Sequence, residues 1–358
     1  MKTLTAMVTD VQKIEFVEEE LPALREDEIL VRMDSVGLCH TDLPRFLGHH
    51  AFGISKEGYR QVRPVSFPCA LGHEPVGTVV DTGRGVTGFR PGDRISGNFD
   101  AAFTTYRVVS EKSPIFRLPD LPFDYRLCVA EPIGCVVNIV NACLTEPVHC
   151  AGVVGCGVMG LMTIAGLKAA GVETIVAVDV ADEKLAAAKA YGASHTVNSM
   201  KENLVEKVYA LTEGAFLDSI VEITGSLKGL LSACSVIRFP REKGLLQNPF
   251  TGRGRIVIAS VYTKQETFPP LLANELVLRA PILDAAHPAS GRDVLENDKK
   301  GVEAMIDGSI PMNRMITHQI PFQRLEEGFQ WLLSPPEGYL KGIVRFEEEP
   351  VPQGGRRA

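Results

Sequence analysis

The sequence lacks the features that mark several special classes of protein. Its eight cysteines include no Cys-x-x-Cys pair and do not form the compact framework of a small secreted domain. No apolar run is long enough to span a bilayer, and the first residues lack the long apolar core of a signal peptide. The net charge is −7 and no basic run occurs, which argues against a nucleic-acid or anionic-membrane partner. We therefore expect a cytoplasmic protein that binds neither nucleic acid nor membrane.

The length and composition indicate a globular protein with two domains. The chain has 358 residues, of which 45% are hydrophobic and 23% are charged. A single hydrophobic core stops growing at about 250–300 residues, so one core is not enough. Residues 1–36 predict strands, because their apolar residues recur with a period of two. Residues 45–68 predict a loop, and we expect Asp124 to cap a helix that passes through Glu131 to about Cys143.

From about residue 148 the pattern alternates between short apolar strands and helices. Strands are predicted at 151–154, 174–178, 217–223, 255–259 and 276–283, with helices at 158–170 and 183–191 among them. Such alternation is typical of an α/β protein with a doubly wound parallel sheet of the Rossmann type.

A glycine-rich loop follows the first of these strands and precedes the first helix. Gly155, Gly157 and Gly160 have the spacing that lets the backbone turn tightly and approach a pyrophosphate. The amino end of the next helix, at Val158 and Met159, offers unpaired N–H groups to the phosphate. The sequence therefore predicts a dinucleotide site. The alternative is a glycine turn without a cofactor, which we consider the minority interpretation in this context.

Asp179 ends the second strand, where a carboxylate binds the ribose hydroxyls of a dinucleotide. Because a carboxylate there repels a 2′-phosphate, NAD is favoured over NADP. Lys184 is the next basic residue and leaves NADP open. For Asp179 taken alone, a solvated acid at a strand end is the more plausible interpretation.

Three residues in the first part of the chain have side chains that zinc prefers. Cys39, His73 and Glu131 offer a thiolate, an imidazole and a carboxylate, and a catalytic zinc keeps its fourth position open. They lie far apart in sequence, so their spacing alone does not identify a site. A lone cysteine or histidine is more often a structural residue than a ligand.

The run around His73 resembles the zinc signature of the medium-chain, zinc-containing alcohol dehydrogenase superfamily. The resemblance covers nearly the whole chain in order, and its motifs are Gly72-His73-Glu74-x-x-Gly77-x5-Gly83-x-x-Val86, Gly37-x-Cys39-His40-Thr41-Asp42, Ala130-Glu131-Pro132-Ile133-Gly134, Ile316-Thr317-His318 and Lys341-Gly342. The Glu131-Pro132 element is similar to that of the polyol branch, which contains the sorbitol and sugar dehydrogenases.

The resemblance implies one catalytic zinc, with Cys39, His73 and Glu131 as its ligands. Glu74 would bind the zinc itself or exchange with water. No cysteine occurs between residues 70 and 127, so the structural-zinc lobe of the family is missing and we expect no structural zinc.

The resemblance also implies roles for three neighbours of Cys39. Asp42 would orient His73, although it can also cap a helix. Thr41 would accept the proton of the substrate hydroxyl, but a hydroxyl bonded to nearby backbone is also common. His40 would contact the pyrophosphate, or it is simply a loop histidine. The histidine that ends the proton relay in many members falls near Pro44, which cannot carry a proton.

The fold implied is a GroES-like, mostly β catalytic domain at 1–133 and 287–358 and a Rossmann NAD-binding domain at 134–286. We expect residues 347–358 to be a disordered tail.

The activity implied is a zinc-dependent, NAD(P)-linked oxidation of a secondary alcohol, such as a polyol, sugar or cyclitol, to its ketone. The alternatives are a zinc-free quinone or enoyl reductase and a non-catalytic dinucleotide-binding protein. Relatives are usually homodimers or homotetramers.

Overall fold

The computed structural model describes residues 1–49, 51–54, 60–239, 252–262, 267–286 and 293–347, with backbone only for 51–54 and 60–63. The predicted tail therefore lies almost wholly outside the described residues. The strands of the described residues are β1 Lys2–Asp10, β2 Lys13–Glu20, β3 Glu28–Gly37, β4 Ala51–Ile54, β5 Arg60–Arg63, β6 Cys69–Ala70, β7 Pro75–Thr82, β8 Arg94–Gly97, β9 Tyr106–Ser110, β10 Ile115–Arg117, β11 Cys150–Val154, β12 Thr174–Asp179, β13 His195–Asn198, β14 Ser219–Glu222, β15 Arg255–Ile258, β16 Ile282–Ala285, β17 Ile316–Pro321 and β18 Lys341–Arg345.

Ten α-helices and three short 3-10 helices accompany these strands in the described part of the chain. The α-helices are α1 Leu43–Phe46, α2 Ala130–Cys143, α3 Val158–Ala169, α4 Asp182–Ala190, α5 Leu204–Leu211, α6 Leu227–Val236, α7 Pro270–Arg279, α8 Val294–Asp307, α9 Met312–Met315 and α10 Leu325–Leu333. The 3-10 helices cover His40–Asp42, Tyr125–Leu127 and Phe322–Arg324.

The chain divides into two compact units. The first contains Met1–Glu131 and Asn313–Ala358, and the second contains Pro132–Met312. The second unit extends beyond the predicted boundary at 286 because α8 packs against the start of α2. A Cβ added to Gly301 of α8 would lie 2.7 Å from the Ile133 side chain, so the two helices approach closely there.

The first unit is built on a mostly antiparallel sheet. Its strand order is β10-β8-β7-β3-β18-β17, and β9 also pairs with β3. A second sheet has the order β2-β1-β6, and β4 pairs with β5. Nearly every residue of β3 is buried, because strands flank it and both of its faces are covered. Phe46, Phe103 and Phe329 are fully buried, with ring centroids 4.7 Å apart for Phe46 and Phe329.

The second unit is a parallel sheet with helices between its strands. Its strand order is β13-β12-β11-β14-β15-β16, and all five strand pairs are parallel. This is the doubly wound order, and the direction of winding reverses between β11 and β14. The predicted fold class, a Rossmann sheet with a GroES-like β domain, is confirmed.

Three local predictions were wrong. The predicted strand 276–283 is the end of α7 followed by β16, because Pro270 begins a helix and Ala280 ends it with a left-handed conformation. Asp124 caps only the 3-10 helix Tyr125–Leu127, and α2 begins separately at Ala130 with Pro132 in its first turn. The segment 45–68 contains the paired strands β4 and β5 instead of a continuous loop.

None of the helices in the described part of the chain combines the length and the apolar character needed to cross a bilayer.

Candidate active site

Cys39, His73 and Glu74 bring three metal-binding side chains together in the first unit. Their thiol, imidazole and carboxylate atoms all lie within 4.8 Å of one another. A tetrahedral zinc with bonds of about 2.0–2.3 Å separates its ligand atoms by roughly 3.3–3.8 Å, so small shifts would close the group around an ion. The donor set therefore fits zinc.

Two glycines explain how the backbone places this group. The end of β3 and the start of β7 are antiparallel neighbours, and the Gly37 N–H donates to the Glu74 carbonyl at 2.9 Å. A Cβ on Gly37 would lie 1.7 Å from Glu74 Oε2, so no larger residue leaves room for that carboxylate. Gly72 has φ +93° and lies directly against the ring of Phe103, which fixes the turn that presents His73.

Asp42 holds the imidazole of His73 from behind. Its Oδ2 lies 3.4 Å from His73 Nδ1, and the carboxylate is fully buried. Of the two expected roles of Asp42, helix cap and partner of His73, the side chain makes no capping hydrogen bond to α1. Its contact with His73 is retained. Burial of the imidazole lowers its pKa, but hydrogen bonds with Asp42 and Cys39 outweigh burial and raise the pKa of His73 to about 12. Because Asp42 lies against Nδ1, Nε2, the atom that Thr41 contacts, is the one that a metal would bind after it loses its proton.

Thr41 contacts both the thiol of Cys39 and the imidazole of His73. Its Oγ1 is 3.2 Å from Cys39 Sγ and 3.2 Å from His73 Nε2, and the residue is exposed. The hydroxyl therefore contacts the site and not only the nearby backbone. Burial raises the pKa of the Cys39 thiol, and the negative charge of Glu74 raises it further.

Lys341 is a member of the site to which the sequence assigned no role. Its Nζ donates to Glu74 Oε1 at 2.8 Å and to the Leu38 carbonyl at 2.9 Å, next to Cys39 in the chain. Burial lowers the pKa of the ammonium, but the charges of Glu74 and Cys39 outweigh it, so the pKa lies above its ordinary value. The Lys341-Gly342 motif was the available signal, but nothing local in it names Glu74 as partner.

Two predicted site residues lie outside the group of three. Glu131 is buried in the first turn of α2, and its carboxylate is not among the clustered ligand atoms. His40 is exposed in the 3-10 helix His40–Asp42. Their roles as metal ligand and pyrophosphate contact stay predictions.

In the second unit the glycine loop has the geometry expected of a phosphate-binding turn. Gly155 has φ +102°, and a Cβ on Gly160 would lie 1.9 Å from the Gly155 carbonyl oxygen. Gly157 precedes α3, and nothing lies within 4 Å of the place where its Cβ would be. The loop is thus tightly folded yet open above Gly157, at the N–H groups of Val158 and Met159, which fits a pyrophosphate.

Asp179 ties this loop to the neighbouring strand. Its Oδ2 accepts the Cys156 N–H at 2.8 Å, and its Oδ1 accepts the N–H groups of Val180 at 2.7 Å and Ala181 at 3.1 Å. The carboxylate therefore lies at the carboxyl end of β12, directly beside the glycine loop, where a ribose is expected.

Comparison with known protein families gives one match in the first unit and one in the second. The family model described as the alcohol dehydrogenase GroES-like domain matches residues 25–120, and that of the zinc-binding dehydrogenases matches residues 158–240. The chain belongs to the zinc-dependent medium-chain alcohol dehydrogenase superfamily. It is accordingly an oxidoreductase of the alcohol dehydrogenase type.

Relatives within this superfamily align over almost their full length. L-Threonine 3-dehydrogenase of Bacillus velezensis is 26% identical, over 87% of this chain and 90% of the relative. Sorbitol dehydrogenase of Bacillus subtilis is 24% identical, over 83% of this chain and 92% of the relative. The crystal structure of 2R,3R-butanediol dehydrogenase from Bacillus subtilis superposes with a TM-score of 0.77 and 24% identity, over 96% and 99% of the two chains. Zinc and NAD(P) are the cofactors that this superfamily implies.

Proposed function

We propose that this protein is a zinc-dependent, NAD-linked dehydrogenase that converts a secondary alcohol, of the polyol, sugar or cyclitol kind, to its ketone. The observation that carries the proposal is the group of Cys39, His73 and Glu74, with Asp42 behind the imidazole and Thr41 in front of it. The relatives named for threonine, sorbitol and butanediol support a substrate with a secondary hydroxyl group.

Each residue of the site has a definite task in this reaction. Cys39 and His73 would hold the zinc, with Glu131 as third ligand and Glu74 as a carboxylate that would bind it or give way to water. When bound, zinc supplies Lewis acidity toward the oxygen of the alcohol. Asp42 would orient the imidazole through Nδ1 and leave Nε2, the atom that Thr41 contacts, to the metal.

Thr41 would take the proton of the substrate hydroxyl while its own hydroxyl proton passes on, because its Oγ1 lies 3.2 Å from both Cys39 Sγ and His73 Nε2. Pro44 lies next to the 3-10 helix and carries no group that accepts a proton. Onward transfer from Thr41 therefore uses water, a hydroxyl of the cofactor or another residue. A bound nicotinamide would supply the hydride acceptor for the substrate carbon.

The dinucleotide is proposed to bind at Gly155, Gly157, Val158, Met159, Gly160 and Asp179, with His40 contacting its pyrophosphate. NAD is preferred because a 2′-phosphate would meet the carboxylate of Asp179.

A substrate panel tests the function directly. Polyols, sugars, cyclitols and simple alcohols are scanned with NAD and then with NADP, following the absorbance of the reduced nicotinamide. We expect turnover of a secondary alcohol with NAD, one zinc per subunit, and loss of every activity on chelation. Full activity in metal-free protein would instead favour a zinc-free reductase. Cofactor binding with neither metal nor turnover would favour a non-catalytic protein.

We also propose that the protein forms a homodimer or homotetramer. Within the described residues, β16 has one strand neighbour and is the edge of the parallel sheet. Leu283 on this strand is 50% exposed, and Val277 and Leu278 on α7 are 79% and 75% exposed. An open strand edge flanked by large apolar side chains favours pairing with a second copy. Light scattering should give two or four subunits, and a monomer at micromolar concentration would contradict the proposal.

A further inference from the structure

Glu222 is a fully buried carboxylate of the second unit that the proposed site does not use. It ends β14, and both of its oxygens accept hydrogen bonds. Oε1 accepts the Thr224 N–H at 2.7 Å and also the Thr224 hydroxyl, and Oε2 accepts the Tyr262 hydroxyl at 2.5 Å. Burying a carboxylate is costly unless its oxygens are satisfied, so this arrangement ties three residues firmly together.

The position of Glu222 in the sheet connects these contacts with the proposed dinucleotide site. Val154, the last residue of β11, pairs with Glu222 across the point at which the winding of the sheet reverses. Ligands of doubly wound sheets bind outside the carboxyl ends of the strands at this point. The glycine loop follows Val154, and the turn 223–226 follows Glu222, so the two turns are neighbours.

The turn 223–226 contacts the glycine loop on one side. A Cβ on Gly155 would lie 2.9 Å from Thr224 Cγ2 and 3.3 Å from the Ile223 carbonyl carbon. The turn therefore forms a wall of the glycine loop, and a displacement of Thr224 changes the space available there.

On its other side the turn is held by the segment after β15. Gly225 has φ +65°, and a Cβ there would lie 2.9 Å from the Val261 carbonyl oxygen. Tyr262 then reaches Glu222 through its hydroxyl. Glu222 thus joins the turn to a segment on the β15 side of the sheet, away from β12 and Asp179.

We propose that Glu222, Thr224 and Tyr262 are positioning residues that hold the turn 223–226 against the glycine loop and thereby set the affinity for the nicotinamide half of the dinucleotide. This rests on the proposed dinucleotide site. The adenosine half belongs to the β12 side, where Asp179 lies, so its binding does not depend on these hydrogen bonds.

The test compares a whole cofactor with half of one. Dissociation constants for NADH, from its fluorescence, and for AMP, from calorimetry, are measured on the full chain. Tyr262→Phe removes one hydrogen bond to a carboxylate, and we expect the Kd for NADH to rise about tenfold. The Kd for AMP should stay within about twofold.

Glu222→Leu should weaken NADH binding by more than Tyr262→Phe does. In Glu222→Gln the amide can still accept from Thr224 and donate to Tyr262, so the Kd for NADH should stay within about threefold of wild type.

A matched control separates positioning from general stability. Thr212 is a buried threonine of the same unit whose hydroxyl bonds only to backbone, accepting from Phe216 and donating to Val208. Thr212→Val should lower the melting temperature without changing either Kd.

If Thr212→Val raised the Kd for NADH as much as Tyr262→Phe does, or if Tyr262→Phe bound NADH like wild type, the inference would be overturned. Equal losses for NADH and AMP would overturn it as well. A wild-type protein that binds no NADH would instead refute the proposed dinucleotide site itself. Glu222→Leu can fail to fold, and Tyr262→Phe then decides.

Discussion

Lys341 and Glu74 form a buried ion pair, with Nζ 2.6 Å from Oε2 and side chains 6% and 0% exposed. The pair lies beside the candidate metal ligands, because Lys341 also donates to the carbonyl of Leu38. Glu74 can turn toward a metal only by weakening this contact. Lys341 is therefore the counter-charge that stabilises Glu74 when the carboxylate is not a ligand.

Lys341→Met should destabilise the protein, because it leaves the Glu74 carboxylate buried without its partner. Breaking a buried pair in this way costs about 3–5 kcal/mol of unfolding free energy. The double variant Glu74→Met, Lys341→Met should recover most of the loss, since neither charge of the pair is then left buried without the other. Urea unfolding in the presence of a chelator measures both effects. Lys2→Met, which breaks the exposed pair with Glu18, serves as the control and should cause no measurable loss. A double variant no more stable than Lys341→Met would contradict this account.

The candidate site was predicted from motifs that resemble those of a known superfamily, because the spacing of Cys39, His73 and Glu131 alone does not identify a site. Gly37 and Gly72 had to be glycines, since one faces the Glu74 carboxylate and the other has a positive φ against Phe103. The alternation of strands and helices likewise predicted the doubly wound sheet. Asp179 was predicted as a ribose-binding residue because its distance from the glycine loop follows from one strand–helix–strand unit.

What the sequence did not reveal depends on contacts between distant residues. Lys341 lies 267 residues from Glu74, and no periodicity connects them. In the sequence, Glu222 is an acidic residue at the end of an apolar strand, which does not indicate a function. Only the folded chain brings the Tyr262 hydroxyl to its carboxylate. The apolar run at 276–283 was assigned to one strand, because periodicity alone does not distinguish a short buried strand from a helix end.

The buried thiols should be unreactive in the native protein. Burial raises the pKa of Cys128, Cys156 and Cys234 to about 12 and that of Cys143 to about 11. At pH 8 these groups stay protonated, and the thiol is not the nucleophile. A disulfide reagent such as DTNB at pH 8, followed by peptide mass spectrometry, should leave all four unmodified. Urea should expose all eight cysteines of the chain to the reagent. Fast labelling of Cys156 in the folded protein would contradict the burial of this side chain within the glycine loop.

Zinc binding should become tighter as pH rises. In the metal-free protein the pKa of His73 is raised to about 12 and the pKa of the Cys39 thiol is raised as well, so both carry a proton at neutral pH. A metal binds only the deprotonated forms and must release both protons. Lower pH therefore favours the metal-free state, and the logarithm of the apparent affinity should rise by about two per pH unit between pH 6 and 8. Competition with a chromophoric chelator measures this slope, and a slope near zero would contradict it.

Variants of the proposed ligands should separate metal binding from cofactor binding. Cys39→Ser and His73→Ala should each abolish turnover and bound zinc, because each removes one of the few side chains that would hold the ion. The Kd for NADH should stay nearly unchanged, since the glycine loop belongs to the other unit. Metal content by mass spectrometry and NADH fluorescence give the two readouts on the same samples. Equal loss of both would indicate unfolding instead.

The two glutamates then decide how the coordination is completed. Glu74 lies within the cluster of ligand atoms, whereas Glu131, the predicted third ligand, does not. If Glu131 is the third ligand, Glu131→Ala loses zinc and turnover like His73→Ala, while Glu74→Ala keeps a bound zinc. Glu74→Ala also leaves Lys341 buried without its partner, so Glu74→Gln is the better comparison because it can still accept from Lys341. Zinc loss in Glu74→Gln together with full zinc content in Glu131→Ala would assign the third position to Glu74 and show the prediction for Glu131 to be wrong.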